Sequence, residues 1–187
     1  MAESNFIDYI RYYSKGESKG DVTSIFDLLY SSYSDDLEQV LKGIPIVSMV
    51  ISENLYATAI SRVLKKHNLQ ETIHISNEYP LRYVVDFSRE TDFTDDEILY
   101  GTREGTHLDF LLTNMVTHNP VLAIEVDGVR FHKEGTEQHD RRDKLKNSIM
   151  EKAGIPLKRV STDASGLEED LEQTLKDIGV INPPTHE

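Results

Sequence analysis

The sequence predicts an α/β domain: a central mixed β-sheet of about four to five strands flanked by helices, with a helical appendage at the N-terminus. Three observations carry this expectation. Residues 107–115 and 121–128 are apolar, strand-type runs separated by the turn signal Thr117-His118-Asn119-Pro120, which together read as an antiparallel hairpin. Residues 137–153 follow as a helix, with Leu145, Ile149 and Ala153 four apart, Gly154 at the expected C′ position and Pro156 beyond it. Residues 157–161 then return as a strand, which a right-handed crossover would lay parallel to the second strand of the hairpin.

The remaining elements fall around this nucleus. In residues 1–51, Phe6, Tyr9, Ile10 and Tyr13 recur at helical spacing, and Ser14 to Gly20 form a polar loop. Asp21 or Thr23 caps a second helix carrying Ile25, Leu28 and Leu29. A third spans residues 35–42 and stops at Gly43. The tyrosines of this appendage read as a packing surface. Ser52 opens a helix over residues 53–66 whose apolar stripe is Tyr56, Ile60, Val63 and Leu64. Two strand-like pieces cover 72–75 and 81–87, with Asp86 in the second either a fourth acidic ligand or, in the preferred reading, at a strand end or turn. Residues 89–106 are an acidic surface excursion with a short helix at 95–100. A closing helix covers 167–178. The domain is expected to occupy residues 52–180, and residues 181–187 are a frayed tail.

Composition bounds the function. At 38% hydrophobic residues the chain can bury a core, and without cysteine it has neither a disulfide framework nor a thiolate metal site. The longest apolar run, residues 44–51, is far short of the roughly 20 residues a membrane span needs. The opening Met-Ala-Glu-Ser-Asn lacks the regions of a signal peptide, so a cytoplasmic setting is expected. A net charge of −13 argues against coating DNA by bulk charge, yet residues 130–159 carry nine Lys/Arg against five Asp/Glu. That stretch is either a basic patch on an acidic body or a solvated helix face.

The hairpin holds the chemistry. Strand alternation puts Val121, Ala123, Glu125 and Asp127 on one face and Leu122, Ile124 and Val126 on the other. On the preceding strand Asp109 faces with Leu111, and Leu108, Phe110 and Leu112 face away. Three carboxylates can therefore converge on one side of a sheet. Carboxylates in an apolar setting are costly unless paired or bound to a cation, and a divalent metal is the sharpest explanation. Asp109 and Glu125, facing each other from adjacent strands, suit Mg²⁺ (or Mn²⁺), which takes oxygen ligands and keeps several waters.

The order helix, acidic hairpin, helix, strand, together with Asp109, Glu125-Val126-Asp127-Gly128, His132, Asp140, Arg142 and Ala153-Gly-Ile-Pro156, resembles the restriction-endonuclease-like PD-(D/E)XK superfamily. The likeness is nearest to its very-short-patch-repair-like branch and to the small nuclease domains appended to bacterial helicases. It covers residues 52–163, and residues 1–51 look like the segment that leads into such a nuclease from an upstream helicase region. The resemblance implies metal-dependent hydrolysis of DNA, with Asp109, Glu125 and the carbonyl of Val126 on the metal. It also implies that Glu53, in the first turn of the first helix of the domain, joins the site; a glutamate there is equally explained by the helix dipole.

The departure from the pattern is Asp127, which stands where the superfamily usually has a lysine. It binds a second metal, orients a water or holds the Gly128 turn. A lysine from the following helix could substitute, with Lys144 the nearest candidate. His132 is a candidate general base or leaving-group acid, its intrinsic pKa being about 6.5, or a loop histidine bonded to backbone. Asp140 and Arg142 are expected to lock the helix to the hairpin. Arg141, Lys144 and Lys146 are candidate contacts to DNA phosphates. The competing expectation is a catalytically inactive module on the same fold that binds nucleic acid or docks a protein, since fold alone does not confer activity.

Overall fold

The computed structural model describes residues 51–88, 92–127, 137–161 and 166–181. The expectations for the helical appendage, for His132 and for the C-terminal tail lie outside these residues. In chain order the elements are α1 (Ile51–Lys66), β1 (Ile73–Pro80), a 3₁₀ turn (Leu81–Tyr83), α2 (Asp95–Thr102), β2 (His107–Asn114), β3 (Pro120–Asp127), α3 (Glu137–Lys152), β4 (Leu157–Ser161) and α4 (Leu167–Asp177). The strands form one mixed sheet in the order β1-β2-β3-β4, antiparallel except for the parallel pair β3 and β4. The fold is therefore α/β, a four-stranded sheet with helices on both faces. None of the described helices is long and apolar enough to cross a membrane.

Two cores explain the layers. On one face, Tyr56, Ile60, Val63 and Leu64 of α1 and Leu171 and Leu175 of α4 pack on Phe110, Leu112, Leu122, Ile124 and Val160. This is the stripe the helical spacing predicts, and all of these residues are buried. On the other face, Ile149 and Met150 of α3 cover Leu111 and Ala123, joined by Leu81, Val85 and Phe93. The chain leaves α3 through Gly154 at φ 66, a left-handed position glycine adopts without strain, and Ile155 N–H returns to the Met150 carbonyl.

The strand expected over residues 81–87 is not formed. β1 instead runs from Ile73 to Pro80, twice the length anticipated, and ends there. Pro80 has no N–H to continue a ladder, and the next residues tighten into the 3₁₀ turn with Leu81 fully buried. Asp86 lies in the turn beyond, its Oδ1 accepting from the Ser88 N–H and hydroxyl.

Alternation also fails at two places. Leu108 joins the core beneath α3 rather than that of Phe110 and Leu112, and Val121 packs with the opposite core from Ala123. For Leu108 the backbone supplies the reason. Glu78 of β1 has φ 47, and the β1–β2 ladder pairs Asn77 with Phe110 and Tyr79 with Leu108, omitting Glu78 and Asp109 between them. The regular pleat is broken at Asp109.

Candidate functional site

The β2–β3 ladder runs from Thr113↔Pro120 to Phe110↔Ile124 and goes no further. Continued by one pair it would join Asp109 to Glu125. The hairpin forks at its two acidic residues, while β1–β2 pairing continues to His107 and β3–β4 pairing to Asp127. Side-chain bonds close the opening. Asp109 Oδ2 accepts the Val126 N–H at 2.7 Å. Lys146 Nζ of α3 reaches into the fork, donating to Glu125 Oε2 at 2.6 Å and to the His107 carbonyl at 2.9 Å. One lysine thus bridges both arms.

The electrostatics follow from burial. Glu125 is only 7% exposed. Burial pushes its carboxyl up to about 7; the Lys146 ammonium opposes the rise and the Asp109 charge adds to it. Asp109 is raised as well, chiefly by burial, against the pull of the Val126 N–H and Lys146. Glu125 Oε1 is buried without a hydrogen-bond partner. Such an oxygen normally costs stability, and its lone pairs are what a cation would take. A cavity of about 520 Å³ opens over Asp109 and Glu125, walled by Tyr100, Arg103, Thr106, His107, Arg142 and Lys146, with Glu104 and Gly105 at its edge.

Asp127 stands differently. Its carboxylate accepts from Arg159 Nη1 of β4 at 3.1 and 3.3 Å. The same guanidinium donates through Nε to Asn147 Oδ1 at 3.0 Å and lies 3.1 Å from Asp143. Burial works against the Arg159 charge, but Asp127, Asp143 and Glu125 outweigh it and hold its pKa up. So the three carboxylates on this side of the sheet are not equivalent: two face the cavity and one is neutralised by an arginine beneath α3.

The other predicted residues separate. Lys146, grouped by its sequence with the exposed basic residues, is buried against Glu125. Lys144, the lysine expected to reach in from the helix, is exposed, because it lies off the buried stripe Lys146, Ile149 and Met150. Arg141 is exposed and pairs with Asp96 of α2 at 2.7 Å. Asp140 and Arg142 are exposed; among the described residues Arg159 ties α3 to the sheet through Asn147 and Asp143. Glu53 lies half-buried in the first turn of α1, outside the residues that wall the cavity.

Three features escaped sequence reasoning. Lys146 is expected only as a contact to DNA phosphates; its pairing with Glu125 is missed, though its spacing from Ile149 and Met150 puts it on the buried side of α3. Arg159 sits in a short strand and is the register partner of Glu125, a relation only the β3–β4 pairing reveals. Glu97 looks like one more acid in an acidic excursion, yet it is 3% exposed. It closes a capping box with Thr94 and bonds Ser148 and Lys152 of α3. Among the described residues no group of three or more His, Cys, Asp or Glu is gathered to hold a metal ion. Two carboxylates nevertheless suit Mg²⁺, which is usually held by one or two of them plus waters and substrate oxygens.

No curated protein and no solved structure matches the chain. Residues 43–178, which include the fork and both helices beside it, match the family described as "Protein of unknown function (DUF2726)", and the chain belongs to that family.

Proposed function

We propose that this chain is a metal-dependent deoxyribonuclease domain. The observation that carries the reading is the fork in the hairpin, where Asp109, Glu125 and Lys146 converge under an open cavity and one Glu125 oxygen lacks a partner. The resemblance to the PD-(D/E)XK superfamily supplies the reaction class.

Asp109 and Glu125 would hold Mg²⁺ or Mn²⁺, with the Val126 carbonyl as a third oxygen in keeping with that resemblance. When bound, such an ion polarises a phosphoryl oxygen and activates a water for hydrolysis. The protein's own groups prepare the site. The Val126 N–H orients Asp109. Below a pH of about 7 Glu125 carries a proton that it must release before it can bind a cation. Lys146 offsets the negative charge of the fork and faces the cavity, where its ammonium can donate to a phosphate oxygen. It thereby supplies the cation that Asp127 does not. His132 remains a candidate proton donor or acceptor, and an upstream helicase region a candidate partner in a longer polypeptide.

The test is cleavage of plasmid and single-stranded DNA by the purified chain with Mg²⁺, Mn²⁺ or chelator. Metal-dependent cutting that Asp109→Asn and Glu125→Gln abolish, with folding retained, supports the reading. Absence of cutting on all substrates, with divalent-ion binding unchanged in both variants, defeats it. The inactive-module reading rests on Asp127, whose carboxylate is committed to Arg159. It predicts DNA binding without turnover.

A further inference from the structure

The cavity over the fork continues outward. A second cavity, of about 330 Å³, lies between α2 and α3 and shares Tyr100, Arg103 and Arg142 with the first. The two form one groove leading from the Asp109–Glu125 floor to the surface. Its outer part carries an apolar strip, Leu99 (73% exposed) and the half-buried Leu145, beside Gln138 and the Asp96–Arg141 ion pair. The shared residues between the two cavities include both Arg103 and Arg142.

The state of these arginines is informative in a chain of net charge −13. Most other basic groups beside the sheet are committed to carboxylates: Lys146 to Glu125, Lys152 to Glu97, Arg159 to Asp127 and Arg141 to Asp96. Among the described residues neither the Arg103 nor the Arg142 side chain has an ion pair or hydrogen bond. Two arginines without a carboxylate partner among the described residues, where the two cavities meet, suit a phosphate one step from the fork.

We propose that this groove takes a single strand of DNA, with Arg103 and Arg142 holding the phosphate next to the one presented at Asp109 and Glu125 and with the Leu99–Leu145 strip supporting a base. The inference rests on the nuclease reading and names its substrate class. An exposed Leu99 beside Tyr100 offers a surface to a base that is unpaired and free to pack on it, whereas a duplex keeps its bases stacked inside. Arginines that track the backbone beside a surface for bases are the usual single-strand arrangement.

The experiment is fluorescence anisotropy of labelled oligo(dT) and of a blunt duplex of equal length. It uses the full chain without divalent metal over a salt series, with cleavage of the same oligonucleotides measured in parallel. The expected result is at least tenfold tighter binding of the single strand. Arg103→Ala and Arg142→Ala should each weaken it several-fold and lower the slope of log K against log salt by about 0.7. Lys65→Ala, an exposed cation on α1, should leave binding unchanged. Circular dichroism confirms that the variants fold. Equal binding of the duplex, or a double arginine variant that binds like the parent, overturns the proposal. If oligo(dT) is bound through both arginines and never cut, the groove stands and the nuclease reading falls. If DNA is cut in an Asp109- and Glu125-dependent way while the arginine variants bind and cut normally, the reverse holds.

Discussion

Helix α3 supplies two lysines six residues apart to buried glutamates, the buried Lys146 to Glu125 and the exposed Lys152 to Glu97, and the two glutamates behave in opposite ways. Each pair is close, at 2.6 and 2.7 Å, and each glutamate is almost fully buried. Burial raises the pKa of both. At Glu97 it is overcome: both oxygens accept from Lys152, Oε1 also from the Ser148 hydroxyl and Oε2 from the Thr94 N–H, so the carboxyl is held down at about 2. At Glu125 burial prevails, because one oxygen has no donor and Asp109 adds a like charge, and the carboxyl rises to about 7. An ion pair alone therefore does not settle a buried carboxylate. The number of hydrogen bonds to the charged form and the sign of the next neighbour do. Glu97 is satisfied and serves to fasten α2 to α3; Glu125 is under-satisfied and faces a cavity, as a ligand for a cation would.

That contrast can be broken by substitution, beginning where the largest effect is expected. Glu125→Gln should reduce metal-dependent DNA cleavage roughly a thousandfold, the equivalent of several kcal/mol of lost charge stabilisation. Glu97→Gln should leave cleavage within a few-fold of the parent. Single-turnover assays on the two variants check this, and equal losses would erase the distinction. Lys146→Met leaves Glu125 buried without its counter-charge. It should lower stability to denaturant by about 3 kcal/mol at pH 8 and by less at pH 5, where Glu125 is already protonated.

The two glutamates also give opposite pH dependences. Glu97 has a folded pKa below its unfolded value of 4.5, so its stabilisation is complete above 4.5 and lost as pH falls toward about 2. Glu125 has a folded pKa above 4.5, so its contribution is greatest below 4.5 and declines as pH rises to about 7. Denaturant melts of Glu97→Gln and Glu125→Gln against pH should diverge from the parent in these separate windows. Over the upper one, divalent-ion affinity measured by calorimetry should rise as Glu125 gives up its proton. The smallest effect is expected at Arg141→Ala. It removes a pair with Asp96 in which both partners are mostly exposed, and thermal melts should show a loss of about 0–1 kcal/mol.

Much of the domain was legible in the residues. The stripe Tyr56, Ile60, Val63, Leu64 marked α1, and Gly154 with Pro156 marked the end of α3. Asp109 and Glu125 stood out because acids are rare in apolar strand runs. The region 81–87 misled because Val84, Val85 and Phe87 look like strand residues, while the break belongs to Pro80 and to Leu81, which is drawn into the second core. Lys144 was preferred over Lys146 because linear proximity to the hairpin is a poor guide to which side of a helix faces it.

What the sequence by itself determined was the order and type of most elements and the two acids of the hairpin. Periodicity and breaker residues act locally, and a carboxylate in a strand is conspicuous without its neighbours. Only the tertiary structure decided which charges meet. Lys146 reaches Glu125, Arg159 takes Asp127, and Arg103 and Arg142 are left to the groove, because pairing across a sheet and onto a helix depends on register and helix rotation, which bring together residues as far apart as Glu125 and Lys146. The fork itself is such a product: its carboxylates are written in the chain, but the interrupted ladder that exposes them appears only when β1, β2 and β3 lie side by side.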